Sequence, residues 1–287
     1  MTKYLTRLFY LGDRYHGSQH QPELKTVQGE LIQAVTDWSG EHHSTQTTQF
    51  SGRTDRGVHS VGQLVMIETN EQLNIDKINR YLPDDIILWA SIEAPLNFAP
   101  RYDVLMRHYR YYLDKSWATL NLGAVKKAAS LLIGSNDFNE LAKPDSGRNT
   151  VTTILNISVF DHDDIYYLDI YGTRFLWKLV RKLVSLLIEI GTGKIRLDMI
   201  DSILSEQRVL ASGIKPAPPE NLVLIETIVP FKMKLSKYAI KLIQKKLNDQ
   251  LNQYRRSVIT LNNIIDYFSV PSSISQHSTN SQRHSDF

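Results

Sequence analysis

The chain has 287 residues, 42% hydrophobic and 22% charged, which suits a soluble globular protein with one large domain or two smaller ones. A formal net charge of +3 and a pI near 8.8 permit nucleic-acid binding without requiring it. The absence of cysteine excludes disulfides, thiolate nucleophiles and Cys-ligated zinc. The start Met1-Thr2-Lys3-Tyr4 shows no charged-then-apolar leader and no apolar run approaches membrane-spanning length, so a cytoplasmic protein without membrane attachment is expected.

Tyr4 to Leu11 is apolar, aromatic and β-prone, and a polar loop from Gly12 to Pro22 follows it. Thr26 is placed to cap a helix in which Val27, Leu31, Val35 and Trp38 recur at helical spacing up to Gly40. Next comes Phe50-Ser51-Gly52-Arg53-Thr54-Asp55-Arg56-Gly57-Val58-His59-Ser60, on a loop that feeds the strand Gly62 to Ile67. A short helix through Ile75, Ile78 and Leu82 should stop at Pro83, and Ile86 to Ile92 reads as a strand. Leu105 to Leu113 alternates Arg107, Tyr109 and Tyr111 with Met106, His108 and Arg110, so the two sets face opposite ways on a strand. This order predicts an α+β unit on an antiparallel sheet, residues 1–115.

Residues 116–230 repeat the order of elements without an alignable repeat. The pattern predicts a helix over Leu122 to Ile133, broken by Gly134-Ser135-Asn136-Asp137-Phe138, then a polar, mobile loop over 143–149. A strand pair, Val151 to Phe160 and Ile165 to Tyr171, precedes a long helix from Arg174 to Ile190, a shorter one near Leu197 to Leu204, and a strand from Leu222 to Val229. Residues 231–270 interleave Lys237, Lys241, Lys245, Arg255 and Arg256 with Leu242, Leu247, Leu251 and Tyr254, a basic amphipathic helical extension. Residues 271–287, rich in Ser, Gln, His and Asn, read as a disordered tail.

The chemistry concentrates around Asp55. Gly52 and Gly57 permit close backbone approach, and Arg53 and Arg56 offer forked donors suited to phosphate. A carboxylate held ionised between those cations repels a nucleic acid and makes sense there if it does chemistry. The residues alone leave open a plain glycine-rich hairpin in which Asp55 caps a turn and the arginines are solvated. Arg174, Trp177, Lys178 and Arg181 would gather on one helical face, read either as a solvated face or as an RNA contact. His59 reads as a general base or a structural hydrogen-bonder. His16, His20, His42 and His43 lack carboxylate companions at ligand spacing, so no metal is assigned. No P-loop or dinucleotide fingerprint appears, so no cofactor is expected.

Gly52-Arg53-Thr54-Asp55-Arg56-Gly57-Val58-His59, followed by Gly62-Gln63, resembles the G-R-T-D-x-G-V-H signature of the tRNA pseudouridine synthase A (TruA) family. The resemblance spans residues 3–230 and implies two ferredoxin-like halves with joined antiparallel sheets and a central cleft. It makes Asp55 the essential catalytic residue. Phe175 to Val184 resembles the family's F-x-x-x-M-V-R helix, with Leu179 for the methionine, and implies that Arg181 pairs with Asp55. Arg107-His108-Tyr109-Arg110-Tyr111 resembles R-x-Y-x-Y and places Tyr109 against the target base. Phe98-Ala99-Pro100-Arg101 resembles F-H-A-R with two replacements, which carries Arg101 over as an RNA contact, while Gly17-Ser18-Gln19 stands where the family has G-W-Q. Arg53, Arg56, His59, Tyr109, Arg101, Arg174 and Lys178 make up the expected RNA-binding set. The implied activity isomerises uridine to pseudouridine in the anticodon stem-loop, by a homodimer, with base flipping and without metal or cofactor. A non-catalytic RNA-binding protein of the same fold is the alternative.

Overall fold

Runs of buried residues along Thr2–Tyr10 and His59–Thr69 mark the middle of the sheet in the computed structural model, which describes residues 1–115, 120–142, 149–205 and 213–269. Strand β1 (Thr2–Tyr10) pairs antiparallel with β3 (His59–Thr69) on one side and β4 (Ile86–Glu93) on the other. A short β2 (Thr48–Phe50) pairs with β3 just before the loop that carries Asp55. Helix α1 (Val27–Ser39) starts where expected, with the Thr26 hydroxyl accepting from the Gly29 N–H, and ends at Gly40 with φ +71°. Helix α2 (Ile75–Ile78) is one turn and ends before Pro83. It stops short of the expected run through Leu82, and the Asn79 amide at its end bonds both the N–H and the C=O of Leu88, tying the chain to β4. Leu8, Tyr10, Leu31, Val35, Val65 and Ile78 form the core beneath these helices.

The second half runs β5 (Met106–Asp114), α3 (Leu122–Leu131), β6 (Gly134–Asp137), β7 (Val151–His162), β8 (Ile165–Gly172), α4 (Leu179–Gly191), α5 (Met199–Ser205) and β9 (Leu222–Ile228). After it come β10 (Lys234–Leu235) and α6 (Lys237–Ser269). The described strands form a single sheet in the order β10-β4-β1-β3-β9-β5-β8-β7-β6, with β2 alongside β3. The architecture is α+β, with the sheets of two halves joined. The join is the pairing of His59 with Val223 and Ser60 with Leu224, where β3 and β9 run parallel. Gly62 permits it, since a Cβ there would stand 2.6 Å from the Ile225 carbonyl oxygen. Arg7 crosses the seam, donating to Gly62 O and Thr227 O and pairing with Glu226 at 2.9 Å.

Several elements differ from the sequence reading. Gly134–Asp137 is an edge strand held by β7, not a mere helix break. Strand β5 closes the first stretch of sequence yet hydrogen-bonds to β8 and β9. Helix α4 begins at Leu179, five residues after Arg174, because Lys178 adopts φ +63° and the preceding backbone is irregular. Lys234 and Leu235 pair with β4, so the basic helix starts at Lys237. A separate unit begins at Lys241, and its described part is helical to Ser269. Residues 143–148 of the expected polar loop and the tail 271–287 lie outside the described residues.

Candidate active site

The loop from Ser51 to Val58 is fixed by bonds from four other segments. Gln63 is buried on β3 and donates to Gly52 O at 2.9 Å, while the Ser51 hydroxyl donates to its Oε1 at 2.8 Å. Arg107, buried on β5, donates to Ser51 O at 2.7 Å, to Thr173 O at 2.7 Å and to Arg101 O at 3.3 Å. Burial lowers its pKa, and the nearby Tyr109 opposes that effect. Ser18 is fully buried, and its hydroxyl accepts from Thr54 N at 2.8 Å while its N–H donates to Thr54 O at 3.1 Å. The Tyr10 and Thr54 hydroxyls share a hydrogen bond of 2.8 Å. A turn closed by Val58 N donating to Asp55 O places Gly57 at φ +84°, which favours glycine at that turn position. A Cβ on Gly57 would also meet Pro219 at 2.9 Å.

This scaffold presents the Asp55 carboxylate. Arg181, in the first turn of α4, donates from Nη1 to Asp55 Oδ2 at 2.8 Å, with the side chains 13% and 20% exposed respectively. Arg181 is itself held, because its Nε donates to Ala217 O at 2.6 Å and its backbone O accepts from Ala217 N. The Trp177 indole donates to Asp55 Oδ1 at 3.0 Å. Each carboxylate oxygen therefore accepts one bond from a fixed donor, out of about four lone-pair sites on the group. Tyr109 packs edge-on to Phe175 with ring centroids 5.2 Å apart. Burial raises its phenol pKa, with the charge of Asp55 adding to the effect.

The structure thus pairs Asp55 with Arg181 and sets Tyr109 near enough for the Asp55 charge to act on its phenol. Arg53, Arg56 and Arg101 are exposed, the first two on the Asp55 loop and the third beside the Arg107 anchor. Arg174 and Lys178 do not share a helical face with Arg181, because the helix starts after them. Arg174 is exposed and donates to Asn149 O and Val151 O, whereas the Lys178 ammonium lies 5.0 Å from the centre of the Trp177 ring. His59, read as a general base or a structural hydrogen-bonder and grouped with the RNA-binding set, makes two hydrogen bonds within the chain. Its Nδ1 accepts from Gly12 N–H at 3.0 Å and its Nε2 meets Glu220 O at 3.0 Å, so both ring nitrogens brace the seam. Because the Gly12 N–H donates to Nδ1, Nε2 is the donor toward Glu220 O.

Two functional contacts escaped the sequence reading. The Trp177–Asp55 bond spans 122 residues, and the signal that could have exposed it was the placement of Trp177 four residues before Arg181. The bonds of Arg107 to three separate segments follow from its place at the head of the R-x-Y-x-Y strand. Among the described residues no group of three histidine, aspartate or glutamate side chains is arranged to hold a metal ion.

Comparison with known proteins gives a consistent match. Residues 128–228 match the family described as tRNA pseudouridine synthase. The chain is 35% identical over 261 residues to tRNA pseudouridine synthase A of Methanothermobacter thermautotrophicus, covering 89% of this chain and 92% of that protein. It is 34% identical over 250 residues to the protein of the same name from Pyrococcus abyssi, covering 86% of this chain and 92% of that one. The namesake from Methanosarcina acetivorans is 36% identical over 222 residues, covering 76% of this chain and 81% of that protein.

Proposed function

The chain belongs to the tRNA pseudouridine synthase A family, and from that membership we propose that it isomerises uridines of the tRNA anticodon stem-loop, with Asp55 as the essential carboxylate. The reaction breaks the C1′–N1 bond of the nucleotide, turns the uracil, and joins C1′ to C5. The proton on C5 leaves and N1 gains one, so nothing is oxidised and no water is consumed. Both C1′ and C5 are screened within a base stack, so the nucleotide must leave it, at a cost of a few kcal/mol. Arg53 and Arg56, exposed at the tip of the loop, are suited to hold the displaced phosphates. Tyr109, buried against Phe175, is the residue proposed to meet the extruded base once the site opens to RNA. Arg101, Arg174 and Lys178 complete the cationic surroundings proposed for the RNA. A cytoplasmic homodimer acting on the anticodon arm is part of the same proposal.

One observation carries the reading: Asp55 is held by Arg181 and Trp177, two donors contributed by the other half of the chain, with part of its carboxylate still exposed. A turn-capping aspartate on a solvated hairpin would need neither. The test is Asp55→Asn, which keeps the shape and removes the charge. We expect tritium release from tRNA labelled at uridine C5 to vanish while tRNA affinity stays within about threefold, well under the tenfold that 1.4 kcal/mol represents. Pseudouridine formation by a clean Asp55→Asn preparation would overturn the assignment of Asp55, whereas tRNA binding without turnover by the wild-type chain would favour the non-catalytic RNA-binding alternative.

A further inference from the structure

Helix α6 carries a pattern that the catalytic reading does not use. From residue 247 to 268 its large apolar side chains recur at alternating steps of four and three: Leu247, Leu251, Tyr254, Val258, Leu261, Ile265 and Phe268. That is a period of 3.5, the spacing of a coiled-coil seam, sustained over about three heptads. All seven are between 39% and 71% exposed. Long helices draw most of their stability from packing an apolar face, and contiguous exposed apolar stripes mark interaction surfaces.

The kinds of residue along the seam specify the partner. Leu251, Val258 and Ile265 take one core position, while Leu247, Tyr254, Leu261 and Phe268 take the other. In the middle of the seam, Val258 and Ile265 in the first set are branched at Cβ and Leu261 in the second lies between them, the combination that favours two parallel strands. The flanking positions agree with a parallel pair of identical helices. Gln250 would meet Arg255 of the second copy, and Ser257 would meet Asn262, so no like charges are opposed. Lys245, Lys246 and Arg256 fall on the outer face and stay in water. Ile259 and Tyr267 lie off the seam. Pairing would cover on the order of 1,000 Å², the size at which specific interfaces become stable. We infer that α6 is one strand of a parallel two-stranded coiled coil whose other strand is α6 of a second copy of this chain. The inference does not depend on the catalytic reading.

The cysteine-free sequence allows a direct test in the full chain. Val258→Cys puts a thiol in the seam, and Arg256→Cys puts one on the outer face of the same turn. Parallel pairing brings the two seam thiols within the span of about 4.4–6.8 Å between Cα atoms that a disulfide needs. Under mild oxidation at low micromolar protein, the Val258→Cys chain should form disulfide-linked dimers at least tenfold faster than the Arg256→Cys chain. Adding Leu251→Asp and Leu261→Asp to the Val258→Cys chain should abolish that advantage while the urea unfolding transition of the body is unchanged, which shows that the body is still folded. Equal rates at the two positions would overturn the inference, as would an advantage that survives both aspartates. Packing of the seam elsewhere on its own chain, or against RNA alone, would leave Val258→Cys no faster than Arg256→Cys, which also overturns the inference.

Discussion

Arg181→Met removes the guanidinium and keeps an apolar stem of similar length, so its cost can be worked out from the bonds described. The bond it forfeits to Asp55 is charge-assisted and partly buried, worth about 1.5–3 kcal/mol, and the bond to Ala217 O adds about 1 kcal/mol. Exposed ion pairs contribute about 0–1 kcal/mol, but the low exposure of both partners places this pair above that range. Trp177 still holds one carboxylate oxygen, which limits the loss. The expected total is about 2–4 kcal/mol, read from urea unfolding monitored by fluorescence. Asp55→Asn in the Arg181→Met background should then cost less than it does in wild type, with a coupling of at least about 0.5 kcal/mol. Turnover should fall on the order of 100-fold or more, because a carboxylate displaced by about 1 Å loses its alignment with the reacting atoms. A stability loss under about 0.5 kcal/mol, or strict additivity in the double variant, would refute the view that Arg181 fixes Asp55.

Gly62→Ala should destabilise the body by about 2 kcal/mol or more, because the new methyl meets the Ile225 carbonyl and pushes β3 from β9; unchanged urea unfolding would contradict the tight seam. Burial pushes the pKa of Asp169 up, but hydrogen bonds from Arg110 and His108 outweigh it and hold the carboxyl below its ordinary value. Its stabilising effect should therefore be complete above about pH 4 and fade as pH falls through the folded-state pKa, so the stability gap between wild type and Asp169→Asn should narrow in acid. A gap that stays constant down to about pH 3 would rule this out. Charge reversal of Lys237, Lys241 and Lys245 tests whether the basic helix meets tRNA, since each duplex phosphate no longer neutralised should flatten the log-affinity against log-salt slope by about 0.9. An unaltered slope would remove the helix from the RNA surface.

What could be read in the sequence was what local chemistry determines. Thr26 and Gly40 bound α1 because a hydroxyl cap and a left-handed terminus need nothing from the rest of the fold. The Asp55 loop was recognisable because its glycines and charges lie within a few residues of one another. Strand β6 was missed because Gly-Ser-Asn-Asp has no apolar alternation, and it is extended because β7 offers it an edge. The start of α4 was misplaced because Arg174 to Lys178 has good helical periodicity. The turn there yields to tertiary contacts: Phe175 packs on Tyr109, Arg174 O accepts from Thr152, and Trp177 reaches Asp55. Ser18 looked like a lost aromatic, but burial makes it a backbone clamp for Thr54. The joining of β3 to β9 pairs residues 164 apart, beyond the reach of any local pattern.

The seam also bears on synthesis. Asp55 lies in the first fifth of the chain, whereas the strand that locks its loop from the far side, Leu222–Ile228, comes near the end of the body. Arg7 closes a bond to Thr227 across 220 residues. Pairings of such separation raise the contact order and slow folding, since a long loop must close before they form. A ribosome-bound chain of 200 residues already carries Asp55 and Arg181, yet lacks the Ala217 carbonyl that aims the guanidinium and the strand that anchors His59. The paired carboxylate therefore assembles last, after nearly all of the body has emerged. A truncated translation product keeps the Asp55 loop but lacks the contacts that organise it.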